Sequence, residues 1–350
     1  MPQTKPLKIA IIADPELPVP PLFYGGIERI VAMLVEGYVN LGHKVSLFAH
    51  PDSVTAAKLF AYKGKTSTKR SDVLRNSFLI NKELFSHRYD AIHSFGRLIY
   101  ILPQLPLGIP KLMSYQREPT ISQVRKARRL AKVNSLTFTG CSAYISNQIV
   151  PLAPAYPIFN GVDLRIYDFN LNIQKNAPLV FLGRIEPIKG THIAIQVAQA
   201  AKKRLVIAGN IPPEYTYYFE EEIKPHLSDS ITYIGPVNDE QKNTLLGNAL
   251  AFLMPIEWNE PFGIVMAEAM ACGTPVIGFN KGSVPEVIIN GINGFRCDTQ
   301  EEMIQAVHTI GSIDRKMVRQ DAEKRFSSEV IIQQYLNLYN KIIHNEDFHR

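Results

Sequence analysis

Two carboxylates stand eight positions apart in the segment Glu260-Pro261-Phe262-Gly263-Ile264-Val265-Met266-Ala267-Glu268. Proline is favoured in the first helical turn, so Pro261 predicts a helix over 262–271. Glu260 then falls in the loop before that helix, and Glu268 between one and two turns inside it. The free N–H groups of the helix start lie between them and can receive a phosphate. Residues Val265, Met266, Ala267, Ala269 and Met270 are all apolar. A carboxylate among them is expected to be near-buried and to need a partner, such as the two donors of a ribose diol. A phosphate flanked by two hydroxyl-rich groups has the shape of a sugar nucleotide.

The elements that must position these groups read as strands alternating with helices, the pattern of parallel α/β layers. A strand over 8–13 leads through a proline-rich loop to Gly25-Gly26, a helix to about residue 41 and a strand over 44–49. The same block recurs as a strand over 179–182, a loop from Gly183, a helix from Gly190 to about residue 203 and a strand over 205–208. Strands over 231–234, 251–254 and 275–278 follow, alternating with helices over 239–247 and 262–271. The chain is therefore expected to be α/β with two Rossmann-like halves. A boundary is predicted near Asn160-Gly161, giving domains over 1–160 and 161–326. The tail over about 327–345 shows helical spacing at Val330, Ile331, Tyr335, Leu338 and Ile342.

Ligands of such sheets bind beyond the carboxyl ends of the strands, where strand order reverses. Three loops of the second half point there. The loop Gly183–Gly190 carries Arg184 and Lys189, a forked and a mobile cation suited to a diphosphate; a solvated basic loop is the alternative. The loop Gly235-Pro236-Val237-Asn238 offers a backbone edge to a base at Val237, although alone it is a plain turn. The third is the Glu260–Glu268 segment.

Composition narrows the class. With 350 residues, 46% hydrophobic and 20% charged, the chain can build two cored globular domains. No apolar run approaches the roughly 18 residues of a membrane-spanning helix, and the run 9–13 is too short for a signal-peptide core. Cys141, Cys272 and Cys297 are odd in number and widely spaced, which fits a reduced compartment and neither disulfides nor zinc. The cytoplasm is the expected location. Residues 1–160 hold 20 Lys and Arg against 9 Asp and Glu, whereas residues 161–350 hold 18 against 23. The basic half favours an anionic acceptor or membrane surface. The run Arg125-Lys126-Ala127-Arg128-Arg129-Leu130-Ala131-Lys132 would give a cationic helix face, suited to anionic lipid or simply solvated.

Together the motifs G-R-x-x-x-x-K-G and E-P-F-G-x-x-x-x-E-A-M-A-x-G-x-P-V-I resemble glycosyltransferase family 4. The opening Y-G-G-I-E-R, the later G-H-K-V-S-L-F-A and N-G-V-D at residues 160–163 match as well. The likeness covers most of the chain and is strongest over about 178–300. It implies a retaining, metal-independent transferase of GT-B architecture, two Rossmann-like domains facing across a cleft with the final helix crossing back to the first. It also implies a nucleotide sugar, with a UDP-sugar the expected donor, as co-substrate and no cofactor. Arg184 and Lys189 would meet the donor diphosphate, Glu260 the sugar hydroxyls and Glu268 the ribose. The amides of Phe262, Gly263 and Ile264 would bind phosphate, Val237 would border the base, and Gly26 would approach from the other domain. The absence of an Asp-x-Asp motif is consistent with metal independence.

One position departs from the family. Its His-x-His reads His93-Ser94-Phe95 here, which leaves His93 as either a substitute catalytic group beside Glu260 or a satisfied strand-end histidine. The acceptor remains open, with anionic and lipid-linked compounds both compatible, as is a peripheral position at the inner membrane face. No nucleic-acid partner is expected. The alternatives are an epimerase or glucan synthase on the same fold and a binding protein that has lost catalysis. A synthase usually starts Lys-x-Gly-Gly, where this chain has Phe23-Tyr24. A nicotinamide enzyme is disfavoured, since neither half carries Gly-x-Gly-x-x-Gly after its first strand.

Overall fold

The structure, a computed structural model, describes residues 5–22 and 25–344. Phe23 and Tyr24, on which the argument against a synthase rests, lie outside the described residues, as does residue 345 of the predicted final helix. Two compact units emerge: the described residues up to Gly161 together with those from Ser328, and Val162–Ser327.

The first unit is a seven-stranded, all-parallel sheet. Its strands are β1 (Lys8–Ile12), β2 (Lys44–Ala49), β3 (Lys58–Ala61), β4 (Ala91–Ser94), β5 (Lys111–Tyr115), β6 (Leu136–Gly140) and β7 (Ala155–Pro157), in the order β3-β2-β1-β4-β5-β6-β7. Parallel neighbours need crossovers, and the helices α1 (Gly26–Asn40), α2 (Arg70–Ser86) and α3 (Ile121–Leu130) supply them. Strands β1, β4 and β5 are almost wholly buried, as expected of a parallel sheet covered on both faces. On one face, Ile12, Ile92 and Phe138 share a core with Ile80 and Leu84 of α2 and Val124 and Ala127 of α3.

In the second unit, β8 (Leu179–Leu182), β9 (Leu205–Ala208), β10 (Ile231–Tyr233), β11 (Ala251–Met254), β12 (Val276–Phe279) and β13 (Gly294–Cys297) form a parallel sheet ordered β10-β9-β8-β11-β12-β13. Its longer helices are α4 (Thr191–Ala200), α5 (Asp239–Gly247), α6 (Ile264–Ala271), α7 (Gln300–Thr309) and α8 (Arg315–Phe326). The amide of Val162 donates to Phe326 O at 2.7 Å, tying the start of this unit to its end. The chain then enters α9 (Ser328–His344), which belongs to the first unit and packs Tyr339 edge-on against Tyr38 of α1. All three cysteines are buried, and none is joined in a disulfide. Among the described residues, no helix is long and apolar enough to cross a membrane.

Strand order reverses between β8 and β11, and the loops leaving those strands meet there. Gly190 has φ 74, and a Cβ on it would stand 1.9 Å from Pro255 O. Only glycine allows this approach, because the obstacle is backbone and the conformation is left-handed. The amide of Glu257 completes the junction by donating to Ile188 O at 2.8 Å.

Candidate active site

Lys189 closes the one-turn 3-10 helix Pro187–Lys189 that follows β8, and Gly190 breaks that turn before α4 starts at Thr191. Its Nζ lies 2.7 Å from Glu260 Oε2 and 4.6 Å from the centre of the Trp258 ring. Trp258 also donates from Nε1 to the same Glu260 oxygen at 2.9 Å. An ammonium held by a carboxylate and an aromatic face has its position fixed before any ligand arrives. Arg184, on the same loop, pairs with the buried Glu186 at 2.8 Å.

Helix α6 begins at Ile264, two residues later than Pro261 predicts. The cause is Gly263, which takes the cap position at φ 71 and leaves Phe262 outside the helix. A Cβ on Gly263 would come within 2.5 Å of Met254 Cε and 2.9 Å of Met266 Cε. Phe262 is buried and meets Phe326 edge-on, with ring centres 5.7 Å apart. A helix that starts here turns its first amides away from internal carbonyls. Gly263 and Ile264 lie at that end, and Glu260 sits just upstream.

Glu268, one turn into α6, is 4% exposed. Tyr167 donates its hydroxyl to Glu268 Oε1 at 2.6 Å, and Lys242 Nζ lies 2.6 Å from the same oxygen. Lys242 reaches there from α5, which also gives it Asp239 at 3.3 Å and the Tyr167 ring at 5.3 Å. Burial requires such partners for a carboxylate. Tyr167 and Lys242 both converge on Oε1, which orients the second oxygen of the group.

The structure thus brings Arg184, Lys189, Glu260, Phe262, Gly263, Ile264 and Glu268 onto the loops and helix start beyond β8 and β11. Val237 stands apart, half-buried on the loop after β10, the edge strand two places from β8. That loop ends in a capping box, with Gln241 N donating to Asn238 Oδ1 at 2.9 Å and Asn238 N to Gln241 Oε1 at 3.0 Å. Gly26 belongs to the first unit, where it opens α1 with no described atom within 4 Å of its Cβ position.

His93 requires a correction. It is fully buried on β4, with Nδ1 2.5 Å from the Tyr339 hydroxyl and Nε2 2.6 Å from Ser114 Oγ. Burial pushes its pKa down to about 3. Both ring nitrogens are engaged inside the unit, so the imidazole reaches no substrate and the satisfied-histidine alternative holds.

Beyond β4 and β5 the first unit holds a cavity of about 560 Å³, within the size range of small-molecule sites. Its apolar lining includes Phe95 and Met113, and Arg97, Arg117 and Lys126 supply cations. Asp14, at the end of β1, lies beneath Gly96, whose Cβ would stand 3.0 Å from Asp14 Oδ1. Burial, then Glu16, pushes the Asp14 carboxyl up to about 6.

Trp258, Tyr167, Lys242 and Asp14 were missed by reading the sequence. Trp258 had a signal, being the single tryptophan of the chain and two residues from Glu260. Tyr167 and Lys242 had none, since Glu268 is 101 and 26 positions away from them, and the burial of Asp14 depends on the fold.

Comparison with known proteins agrees with the fold. Residues 165–325 match the family described as "Glycosyl transferases group 1", and residues 24–165 match "Glycosyltransferase Family 4". The spore coat protein SA of Bacillus subtilis (strain 168) is 24% identical over 384 residues, 96% of this chain and 100% of that protein. The crystal structure of AviGT4, a glycosyltransferase involved in avilamycin A biosynthesis, superposes with TM-score 0.72 at 26% identity, covering 97% of this chain and 98% of that one. Anabaena Alr3699/HepE in complex with UDP and glucose shares the fold, with TM-score 0.74 at 18% identity over 96% of this chain and 100% of that one.

Proposed function

This chain belongs to the group 1, family 4 glycosyltransferases and has the GT-B architecture, and we propose that it moves a sugar from a nucleotide diphosphate donor to an acceptor hydroxyl with retention at the anomeric carbon. The observation that carries the reading is the Lys189–Glu260–Trp258 cluster, set where strand order reverses and just ahead of the start of α6.

The chemistry follows from charge. When the nucleoside diphosphate leaves, negative charge collects on its phosphates while the sugar becomes oxocarbenium-like. Lys189 and Arg184 neutralise that charge, and the amides of Phe262, Gly263 and Ile264 donate to it, without recourse to a metal. Glu260 holds the sugar hydroxyls and keeps Lys189 in place. Glu268, oriented by Tyr167 and Lys242, takes the ribose through its second oxygen, and Val237 borders the base. A phosphate oxygen of the leaving group accepts the proton of the incoming hydroxyl on the same face, which gives retention and asks nothing of His93. A UDP-sugar is the favoured donor, since a protein of the same fold is solved with UDP and glucose.

A thermal-shift panel of UDP-, GDP- and ADP-sugars tests the donor assignment: a rise in Tm with UDP-sugars alone supports it, and no shift with any of them removes it. The competing reading is a sugar-nucleotide-binding protein without transfer, favoured by Phe95 at the second position of the family's His-x-His. Donor hydrolysis or product formation separates the two, because a pure binder shows neither.

A further inference from the structure

Helices α2 and α3 close one face of the first sheet over a common core, and their outer surface carries an apolar stripe. Leu74, Phe78 and Phe85 of α2 are 66%, 72% and 61% exposed. Spacings of four and seven residues place all three within about 40° around the helix axis. Ile99 adjoins the stripe, because Ser77 Oγ donates to its carbonyl at 3.5 Å. Leu107, Leu130 and Val133, at and near the end of α3, are exposed as well. Single exposed apolar side chains are ordinary; an aligned group of this size marks a contact surface.

The same surface is cationic. Arg70, Arg75 and Lys82 lie on α2, and Arg125, Lys126, Arg128 and Arg129 on α3, which has no acid. The two acids of α2 are turned inward or engaged. Asp72 is 7% exposed and accepts from the Lys65 amide, and Glu83 pairs with His87 at 2.9 Å. A second copy of the chain, applied to this face by a two-fold axis, would set these cations against themselves. An anionic bilayer matches both properties, since its headgroups meet the cations and its acyl boundary takes the apolar stripe.

We propose that the α2–α3 layer docks on an anionic membrane surface, with Leu74, Phe78 and Phe85 entering the acyl boundary and the α3 cations meeting lipid phosphates. The cavity of the first unit shares Ile99 and Lys126 with this layer, so docking brings its mouth to the lipid surface. An acceptor carried by an anionic lipid would then reach the cavity without leaving the bilayer.

Co-sedimentation of the whole chain with vesicles tests the proposal, using phosphatidylglycerol mixed with phosphatidylcholine in one arm and phosphatidylcholine alone in the other. Binding to the anionic vesicles is expected, weakening at high salt, with little to the neutral ones. The exposed-site variants Leu74→Ser/Phe78→Ser and Arg125→Glu/Arg129→Glu should each lose about tenfold or more in binding, while their melting curves and their response to UDP stay those of the wild type. No pelleting with anionic vesicles at low salt overturns the proposal, as does undiminished binding of the Leu74→Ser/Phe78→Ser variant. A dimer in sedimentation velocity that this variant dissolves would assign the stripe to self-association instead.

Discussion

The loops beyond the strand ends differ sharply between the two units. In the second, each cation of interest is already matched with an acid: Arg184 with Glu186, Lys189 with Glu260, and Lys242 with Glu268. In the first, the corresponding region holds a cavity lined by Arg97, Arg117, Glu118 and Lys126, while its histidine is drawn inward beneath α9. Paired charges pin side chains in place before a ligand arrives, which suits a site that stabilises a leaving group of constant chemistry. A cavity with cations and an apolar lining suits a site whose ligand varies between relatives. The contrast teaches that paired charges gather on the loops beyond β8 and β11, whereas open volume lies beyond β4 and β5.

The largest effect is expected at the pinned ammonium. Lys189→Ala should lower turnover by about 10²-fold or more, roughly 3 kcal/mol of transition-state stabilisation, with the fold intact by circular dichroism. Near-normal turnover would remove Lys189 from the leaving-group site.

A glycine pair sharpens the comparison through stability. Gly190→Ala places a methyl 1.9 Å from Pro255 O in a left-handed conformation. It should cost about 3 kcal/mol in denaturant unfolding. Gly26→Ala, with no described atom within 4 Å of the Cβ position, should change stability by less than about 0.5 kcal/mol. Equal losses in the two variants would mean that the junction of the β8 and β11 loops is not the rigid one.

The first unit should respond to acid through His93. Its folded pKa, near 3, lies below the ordinary value of 6.5. The unfolded chain therefore binds the extra proton between those values, and stability falls as pH drops below 6.5. From pH 7 to pH 5 the loss from this one group is about 2 kcal/mol. Asp14 acts oppositely: its raised pKa makes the folded state the tighter proton binder between 3.8 and about 6, which adds stability as pH falls. The His93 contribution is thus read as the difference between the wild type and His93→Gln. The wild type should lose Tm relative to that variant as pH falls, and parallel curves would contradict the buried, neutral imidazole.

The smallest effect concerns Tyr167, a positioning residue. Tyr167→Phe removes one hydrogen bond to Glu268, about 1.5 kcal/mol for a charged partner, and should weaken donor binding about tenfold with kcat nearly unchanged. Unchanged KM for the donor would reduce the Tyr167–Glu268 contact to a packing detail.

How much of this could be read beforehand follows the range of the interactions. The positions of Glu260, Glu268, Arg184 and Lys189 were legible because they depend on local features, a strand end or a helix start. The burial of Glu268 was predictable from its apolar neighbours, although the structure supplies Tyr167 and Lys242 as its partners. The start of α6 was misplaced because the proline signal competes with Gly263, whose cap depends on Met254 and Met266 closing around it. His93 could not be resolved locally. Alternate residues of β4 face opposite sides, so Ile92 joins the α2–α3 core while His93 meets Tyr339, 246 positions away in sequence. The exposed stripe of α2 was equally hidden, since which face of that helix is covered depends on the fold.

The most direct measurement is calorimetric titration of a UDP-sugar into the wild type, Lys189→Ala and Glu268→Gln. Saturable one-site binding by the wild type, weakened tenfold or more in each variant, is the predicted result. Equal binding by all three proteins, or none by the wild type, would contradict the assignment of the β8 and β11 loops and α6 to the donor.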